Sequence, residues 1–244
     1  MNTKEHYDKH LGNIYSWMIG NYETLVSNYT DYFNANNIGS NNNQTAFDFG
    51  CGNGVQSVAL ATLGFNVFSF DFNKQLLNEL ERNIDNHKIS VFESDFTNFD
   101  KYTAIHPDII VCMGDTITHL PDKSNIEKLF TKCNKALNMN GLLVLSFRDY
   151  SNPLIDTNRF IPVKSDDNRI LTCFLEYFEN YVIVHDLLHE KENGNWIQKV
   201  SSYKKIRVSE VEIKQMLIKC DYEIISSEII NRMVYVIAKK RSHV

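Results

Sequence analysis

Two rhythms of apolar residues run through this chain: short runs or two-residue alternations that mark strands, and three- to four-residue recurrences that mark helices. Residues 46–49 are a short apolar run between turn residues and fit a buried strand of a parallel sheet. A helix is expected over 55–63, stopped by Gly64. Residues 65–70 alternate towards Asp71 as a second strand, and 74–85 is an amphipathic helix with Leu76, Leu77 and Leu80 on one face. Strands are predicted at 89–93, 107–113 and 142–147. A helix at 124–137, capped by Ser124 with Glu127 at capping-box spacing, separates the last two. Helix 209–220, capped by Ser209 with Glu212 three places on, precedes a strand pair at 221–230 and 232–240. Strands alternating with helices at this pace predict an α/β, Rossmann-like, doubly wound sheet with right-handed crossovers.

Two blocks depart from that alternation. Residues 5–33 carry helical patterning broken near Gly20, read as two helices. They either pack on a sheet edge or form a lid that brings Tyr7, Tyr15 and Trp17 over a ligand. A polar, Asn-rich linker is expected at 34–43. After the fifth strand, 151–168 reads as irregular. Runs at 169–178, 181–190 and 196–208, joined by Glu179-Asn180 and Glu192-Asn193-Gly194-Asn195, then predict an inserted antiparallel three-stranded sheet. Its aromatics, Phe174, Tyr177, Trp196 and Tyr203, suit a pocket wall or a small core.

At 244 residues the chain fits one domain. Its expected parts are a helical lid (1–44), a core (45–150 and 209–244) and an inserted cover sheet (151–208). A net charge of −5 gives no broad basic field, so nucleic acid is not expected as a partner, and Lys239-Lys240-Arg241 reads as a solvated tail. No stretch reaches the roughly 18 apolar residues of a membrane span and the start lacks a signal-peptide core, so the expectation is a cytoplasmic protein with no membrane partner. The five cysteines are widely spaced and read as reduced thiols. His185 and His189 invite a metal reading, but on a strand four residues span about 13 Å, so no metal is expected.

The chemistry concentrates between residues 45 and 81. Gly50-Cys51-Gly52-Asn53-Gly54 makes a turn with few Cβ atoms, where backbone N–H groups and a helix start approach a ligand. Asp71, about 20 residues beyond the turn at a strand's carboxyl end, is placed to bind ribose hydroxyls. Dinucleotide enzymes use G-x-G-x-x-G/A. Here the spacing is G-x-G-x-G and Val55 fills the place of the last small residue, which counts against a dinucleotide dehydrogenase.

This strand, turn and acid resemble the first motif of class I S-adenosylmethionine (SAM) dependent methyltransferases. The resemblance implies a seven-stranded sheet with a terminal antiparallel strand and a SAM site that yields S-adenosylhomocysteine. It extends the cofactor set from the turn and Asp71 to Phe72, Met113 and Gly114. It gives Asp95 the adenine amino group and Phe96 the ring face, with a turn cap as the alternative reading of Asp95. It supports a lid in which Tyr15 and Trp17 face the sulfonium, an arrangement suited to cation–π attraction.

Gly114-Asp115-Thr116 with His119-Leu120, and Arg148-Asp149-Tyr150, look like the corresponding places in glycine and sarcosine N-methyltransferases. There the arginine grips the substrate carboxylate, so Arg148 and Tyr150 are the candidate acceptor contacts. Arg148 reads alternatively as an ion pair with Asp149 or Asp115. His119 or Asp115 would take the proton of an amine acceptor, and His119 is equally read as structural. The expected function is methyl transfer from SAM to a small amino or carboxylic metabolite. O- or S-methylation and a SAM-binding protein without turnover are the alternatives.

Overall fold

Apolar runs flanked by glycine and asparagine become strands here, with amphipathic helices covering both of their faces. The computed structural model describes residues 3–39, 44–102 and 104–242. Helices α1 (Thr3–Lys9), α2 (Tyr15–Ile19) and α3 (Tyr22–Ala35) precede β1 (Thr45–Phe49). Then follow α4 (Val55–Thr62), β2 (Asn66–Asp71), α5 (Lys74–Asn83), β3 (Ile89–Glu93), β4 (Ile109–Cys112), α6 (Lys123–Ala136) and β5 (Leu142–Phe147). The insertion holds β6 (Phe160–Ser165), β7 (Arg169–Tyr177), β8 (Tyr181–Glu192) and β9 (Asn195–Ile206), and the chain closes with α7 (Glu210–Lys219), β10 (Tyr222–Ile230) and β11 (Met233–Lys240).

The main sheet has seven strands in the order β10-β11-β5-β4-β1-β2-β3. β1 pairs in parallel with β2 and β4, whereas β11 runs antiparallel to both β5 and β10. The strand order reverses between β1 and β4, the switch point outside which ligands of open α/β sheets bind. Phe47, Phe49, Phe70, Phe99, Phe130 and Phe147 share one buried cluster with Ile213 and Leu217 of α7. A second cluster, of Phe33, Ala59, Leu60 and Phe65, packs on the opposite sheet face through Val67 and Val111.

The structure revises several expectations. Irregularity was expected over 151–168, but β6 lies there and extends the inserted sheet to four strands, β6-β7-β8-β9. Pro162 sits on β6, an edge strand, where a missing N–H costs no ladder bond. Helix α6 is capped by Asp122, whose side chain accepts from Asn125 N–H, and Ser124 merely donates to that cap. The first block divides further, into α1, a 3-10 turn (Leu11–Asn13) and α2 ahead of the break at Gly20. The linker read at 34–43 begins inside α3, and residues 40–43 of it lie outside the described residues. Lys239 and Lys240 belong to β11, and Lys240 Nζ donates to Leu137 O. Helix α7 carries the expected reciprocal capping box of Ser209 and Glu212.

Candidate active site

Between the end of β1 and the start of α4 the chain has five residues to turn. Gly50, Gly52 and Gly54 take φ of 68°, 53° and 88° to do so. A Cβ at Gly50 would lie 2.5 Å from Thr116 Cγ2, and one at Gly54 would collide with Leu80. Glycine is therefore required at both places. Gly50 and Cys51 N–H both donate to Phe70 O, and Gly52 N–H donates to Asp71 Oδ2 at 2.9 Å. Asp71 Oδ1 accepts from Asn73 N–H at 2.8 Å, which ties the end of β2 to the N-cap of α5. Burial holds the Asp71 carboxyl above its ordinary pKa despite these bonds. Beneath the turn, Asp48 accepts from Ser57 Oγ at 2.6 Å, and burial pushes its pKa up to about 7. A turn without Cβ atoms, a helix start and an acid beside it fit a nucleoside and its charged tail.

A cavity of about 870 Å³ runs from this turn. Asn53, Val55, Gln56 and Gly114 border it on the turn side, Asp115, Arg148 and Tyr150 at the ends of β4 and β5, and Phe160, Ile161, Leu175, Tyr177 and Val184 along the inserted sheet. The N-terminal segment supplies Tyr7 and Tyr15. The Tyr15 ring packs over Gly52, and Tyr7 meets Phe72 edge-on at 5.8 Å. Asn53 Nδ2 donates to Ser16 Oγ, a further tie from α2 to the turn.

The remaining candidates fall on either side of the site. Trp17 does not border the cavity. Its Nε1 donates to Asp166, and Lys164 and Arg169 lie over its ring at 5.6 and 5.7 Å, so the β6–β7 end of the insertion holds it away from the turn. Asp95 is exposed and accepts from both the N–H and the hydroxyl of Thr97, the capping alternative. Phe96 is buried and stacks on Phe49 at 5.6 Å. Cys51 and Met113 are buried beside the turn and at the end of β4, and burial pushes the Cys51 thiol pKa well up.

Asp115 was expected as a proton acceptor, but its oxygens are already engaged. Oδ1 accepts from Arg148 N–H at 2.9 Å and Thr118 Oγ1 at 3.0 Å, and Oδ2 accepts from Tyr150 OH at 2.9 Å and pairs with Lys205. Four donors fill the carboxylate and leave it a hub of the site rather than a base. His119 differs. Its Nδ1 is buried with no hydrogen-bond partner among the described residues, and its ring lies 5.9 Å from Tyr7 and 5.5 Å from Tyr203. Burial, reinforced by Lys205 and His6, holds its pKa well below the ordinary value, so the ring is neutral near pH 7.

Arg148 borders the cavity and makes no ion pair with a described residue. Asp149 instead accepts from Ser151 and from Glu210 N–H at the start of α7. Sequence reasoning missed Lys205, Asp186 and His6, all buried here. The signal for two of them was the strand register. Val182, Val184, Asp186 and Leu188 share the inward side of β8, and Ser201, Tyr203 and Lys205 that of β9, so charged residues occupy core positions.

Residues 46–141 match the family described as "Methyltransferase domain". The chain is 27% identical over 56% of its length to the glycine/sarcosine/dimethylglycine N-methyltransferase of Actinopolyspora halophila, of which it covers 24%. It spans 24% to 40% of the length of the curated relatives it matches. Among solved structures, a SAM-dependent methyltransferase from Clostridium acetobutylicum superposes with a TM-score of 0.74 at 16% identity, covering 98% of this chain and 97% of that one. The SAM-bound amino pentose methyltransferase of Micromonospora echinaspora gives 0.73 at 13% identity, over 91% and 92%. The fold is that of the class I, SAM-dependent methyltransferases. No helix among the described residues is long and apolar enough to cross a membrane.

Proposed function

We propose that this protein transfers the methyl group of SAM to the nitrogen of a small acceptor. The observation that carries the reading is one continuous cavity that reaches from the glycine turn to Arg148. A cofactor seated on the turn and an acceptor anchored at the arginine would share that space. The matching relatives named as glycine and sarcosine N-methyltransferases, and the amino pentose methyltransferase among the structural neighbours, support nitrogen as the acceptor atom.

SAM supplies an electrophilic methyl group, so the protein's task is alignment and exclusion of water. The Gly50–Gly54 turn and Asp71 would hold the nucleoside and its tail. Tyr7 and Tyr15 close the cavity over the turn and offer aromatic faces to a sulfonium. The Arg148 guanidinium suits bidentate capture of an acceptor carboxylate. An amine must be neutral when it attacks. His119 is neutral with Nδ1 unpartnered, but it does not border the cavity and burial holds its pKa well down, so it is a weak receiver of that proton and its structural reading is the favoured one.

Calorimetric titration with SAM and with S-adenosylhomocysteine tests the reading first, and saturable binding of both is expected. Absence of binding by either to folded protein overturns it. A screen of small amino, hydroxy and thiol acids with labelled SAM then reads the acceptor atom, and label found only on hydroxyl or thiol acceptors would overturn N-methylation.

A further inference from the structure

The inserted sheet carries an acid where its alternation calls for a hydrocarbon. Asp186 lies between Val184 and Leu188 in the buried row of β8, is 2% exposed, and still borders the cavity. Taking a carboxylate out of water is costly unless strong donors replace the water. The donors here are weak. Cys173 Sγ, a thiol, lies 3.1 Å from Oδ1. His6 Nε2 lies 3.2 Å from Oδ2 without the alignment of a hydrogen bond, while His6 Nδ1 shares a 2.7 Å bond with Ser201 Oγ.

The nearby cations are either paired elsewhere or stand apart from it. Lys205, the buried cation of the neighbouring strand, is already paired with Asp115. Arg148 borders the same cavity unpaired. The Cys173 thiol responds to all of them: burial and then Asp186 push its pKa up, while Lys205 and Arg148 pull it down. Among the described residues no Lys or Arg pairs with Asp186, and its one close basic group is the His6 imidazole, a cation only when protonated.

We infer that Asp186 binds the amino group of the acceptor as its ammonium and thereby determines specificity for amines, the carboxylate taking one proton from the ammonium before the neutral nitrogen attacks. The neighbouring wall of Phe160, Ile161, Leu175 and Val184 is apolar, so the acceptor class is a small amine with a hydrocarbon or aromatic body. His6 acts as a positioning residue. It reaches Asp186 from α1 and stacks on Tyr203 at 4.2 Å, so the amine site is complete only with the N-terminal segment packed on the insertion. This inference rests on the N-methyltransferase reading and deepens it.

The test is titration of the full chain with hexylammonium chloride and with 1-hexanol, each with and without S-adenosylhomocysteine. Wild type is expected to bind the ammonium roughly tenfold or more tighter than the alcohol, as a charge-assisted contact requires. Asp186→Asn should lose that preference and keep its S-adenosylhomocysteine affinity. Equal binding of the two probes by wild type, or an undiminished preference in the variant, overturns the inference, and the wild-type comparison needs no variant to fold. His6→Leu should reduce the preference several-fold and His6→Gln should restore it, both with cofactor affinity intact; an unchanged preference in His6→Leu removes His6 from the site. Protein that binds S-adenosylhomocysteine without an ammonium preference loses the amine site alone. Protein that prefers the ammonium through Asp186 but binds no S-adenosylhomocysteine keeps the amine site and loses the methyltransferase reading.

Discussion

Lys205 and Asp115 form a buried ion pair between the inserted sheet and the loop after β4, with side chains 8% and 5% exposed. The same carboxylate accepts from Tyr150 OH and Arg148 N–H, so one acid joins three segments around the cavity. The pair fixes where the insertion sits over the site, which bears on packing and on acceptor binding together.

Removing one partner of such a pair strands the other. Lys205→Met should destabilise the fold by about 3–5 kcal/mol, because it leaves the buried Asp115 carboxyl without its cation. Lys205→Met combined with Asp115→Asn removes both charges and should recover a large part of the loss. Urea denaturation of the wild type, both single variants and the double variant forms the cycle. Strictly additive losses would show that the pair is not coupled.

Asp48 makes stability depend on pH in an unusual direction. Its folded pKa of about 7 lies above the ordinary carboxyl value because burial outweighs the Ser57 hydroxyl. The folded state therefore holds a proton that the unfolded chain releases near pH 4. Stability from this group is full below about pH 4 and is lost as pH rises through 7. Asp48→Asn keeps an acceptor for Ser57 and cannot ionise. The unfolding free energy of this variant relative to wild type should rise by a few kcal/mol between pH 4 and pH 8, in proportion to the shift. A difference that stays flat over that range in chemical denaturation would place the charge elsewhere.

Gly54 couples the turn to α5. It starts α4 in a left-handed conformation, and a methyl there would collide with Leu80, which is itself fully buried. Gly54→Ala should cost about 1–3 kcal/mol from overpacking and backbone strain. It should also weaken SAM binding, because the turn must move to relieve the clash. Leu80→Ala in the same chain opens room for the methyl. If Gly54→Ala binds SAM as wild type does, the turn is not the cofactor's seat.

Most of the core was legible because its signals are local. The turn at Gly50–Gly54, the leucine face of α5 and the capping box of α7 each lie within a few residues of sequence, and each is found where it was read. The insertion was legible as antiparallel strands, but β6 hides behind Pro153 and Pro162, residues that suit an edge strand as well as a loop. The site was read only from its first half. Asp71 and Arg148 stand at strand ends, where ligand chemistry is expected, whereas His6, Asp186 and Lys205 meet across long separations that no local pattern encodes. What the sequence did offer was charge on the inward side of β8 and β9, and burying that charge needs a reason. Trp17 shows the converse: a ring at the right distance along the chain is drawn away by two cations of the insertion.

Arg148 offers the cleanest separation of acceptor from cofactor. Its backbone N–H holds Asp115, and that bond survives any substitution other than proline. Its guanidinium borders the cavity without an ion pair to either nearby acid, so the side chain adds little to folding. Arg148→Ala should change stability by no more than about 0.5 kcal/mol, the usual range for a surface substitution. If the guanidinium holds an acceptor carboxylate, its loss should raise the acceptor KM by roughly 10- to 100-fold, the worth of a charge-assisted bidentate contact. SAM affinity should stay within about twofold, since no hydrogen bond or ion pair joins the guanidinium to the turn among the described residues. Steady-state kinetics with the methyl acceptor varied, together with calorimetry for SAM, read the two quantities separately. Equal loss of both would mean that the arginine shapes the whole cavity. A KM rise confined to acceptors with a carboxylate, and absent for the corresponding amides, would identify the group it holds.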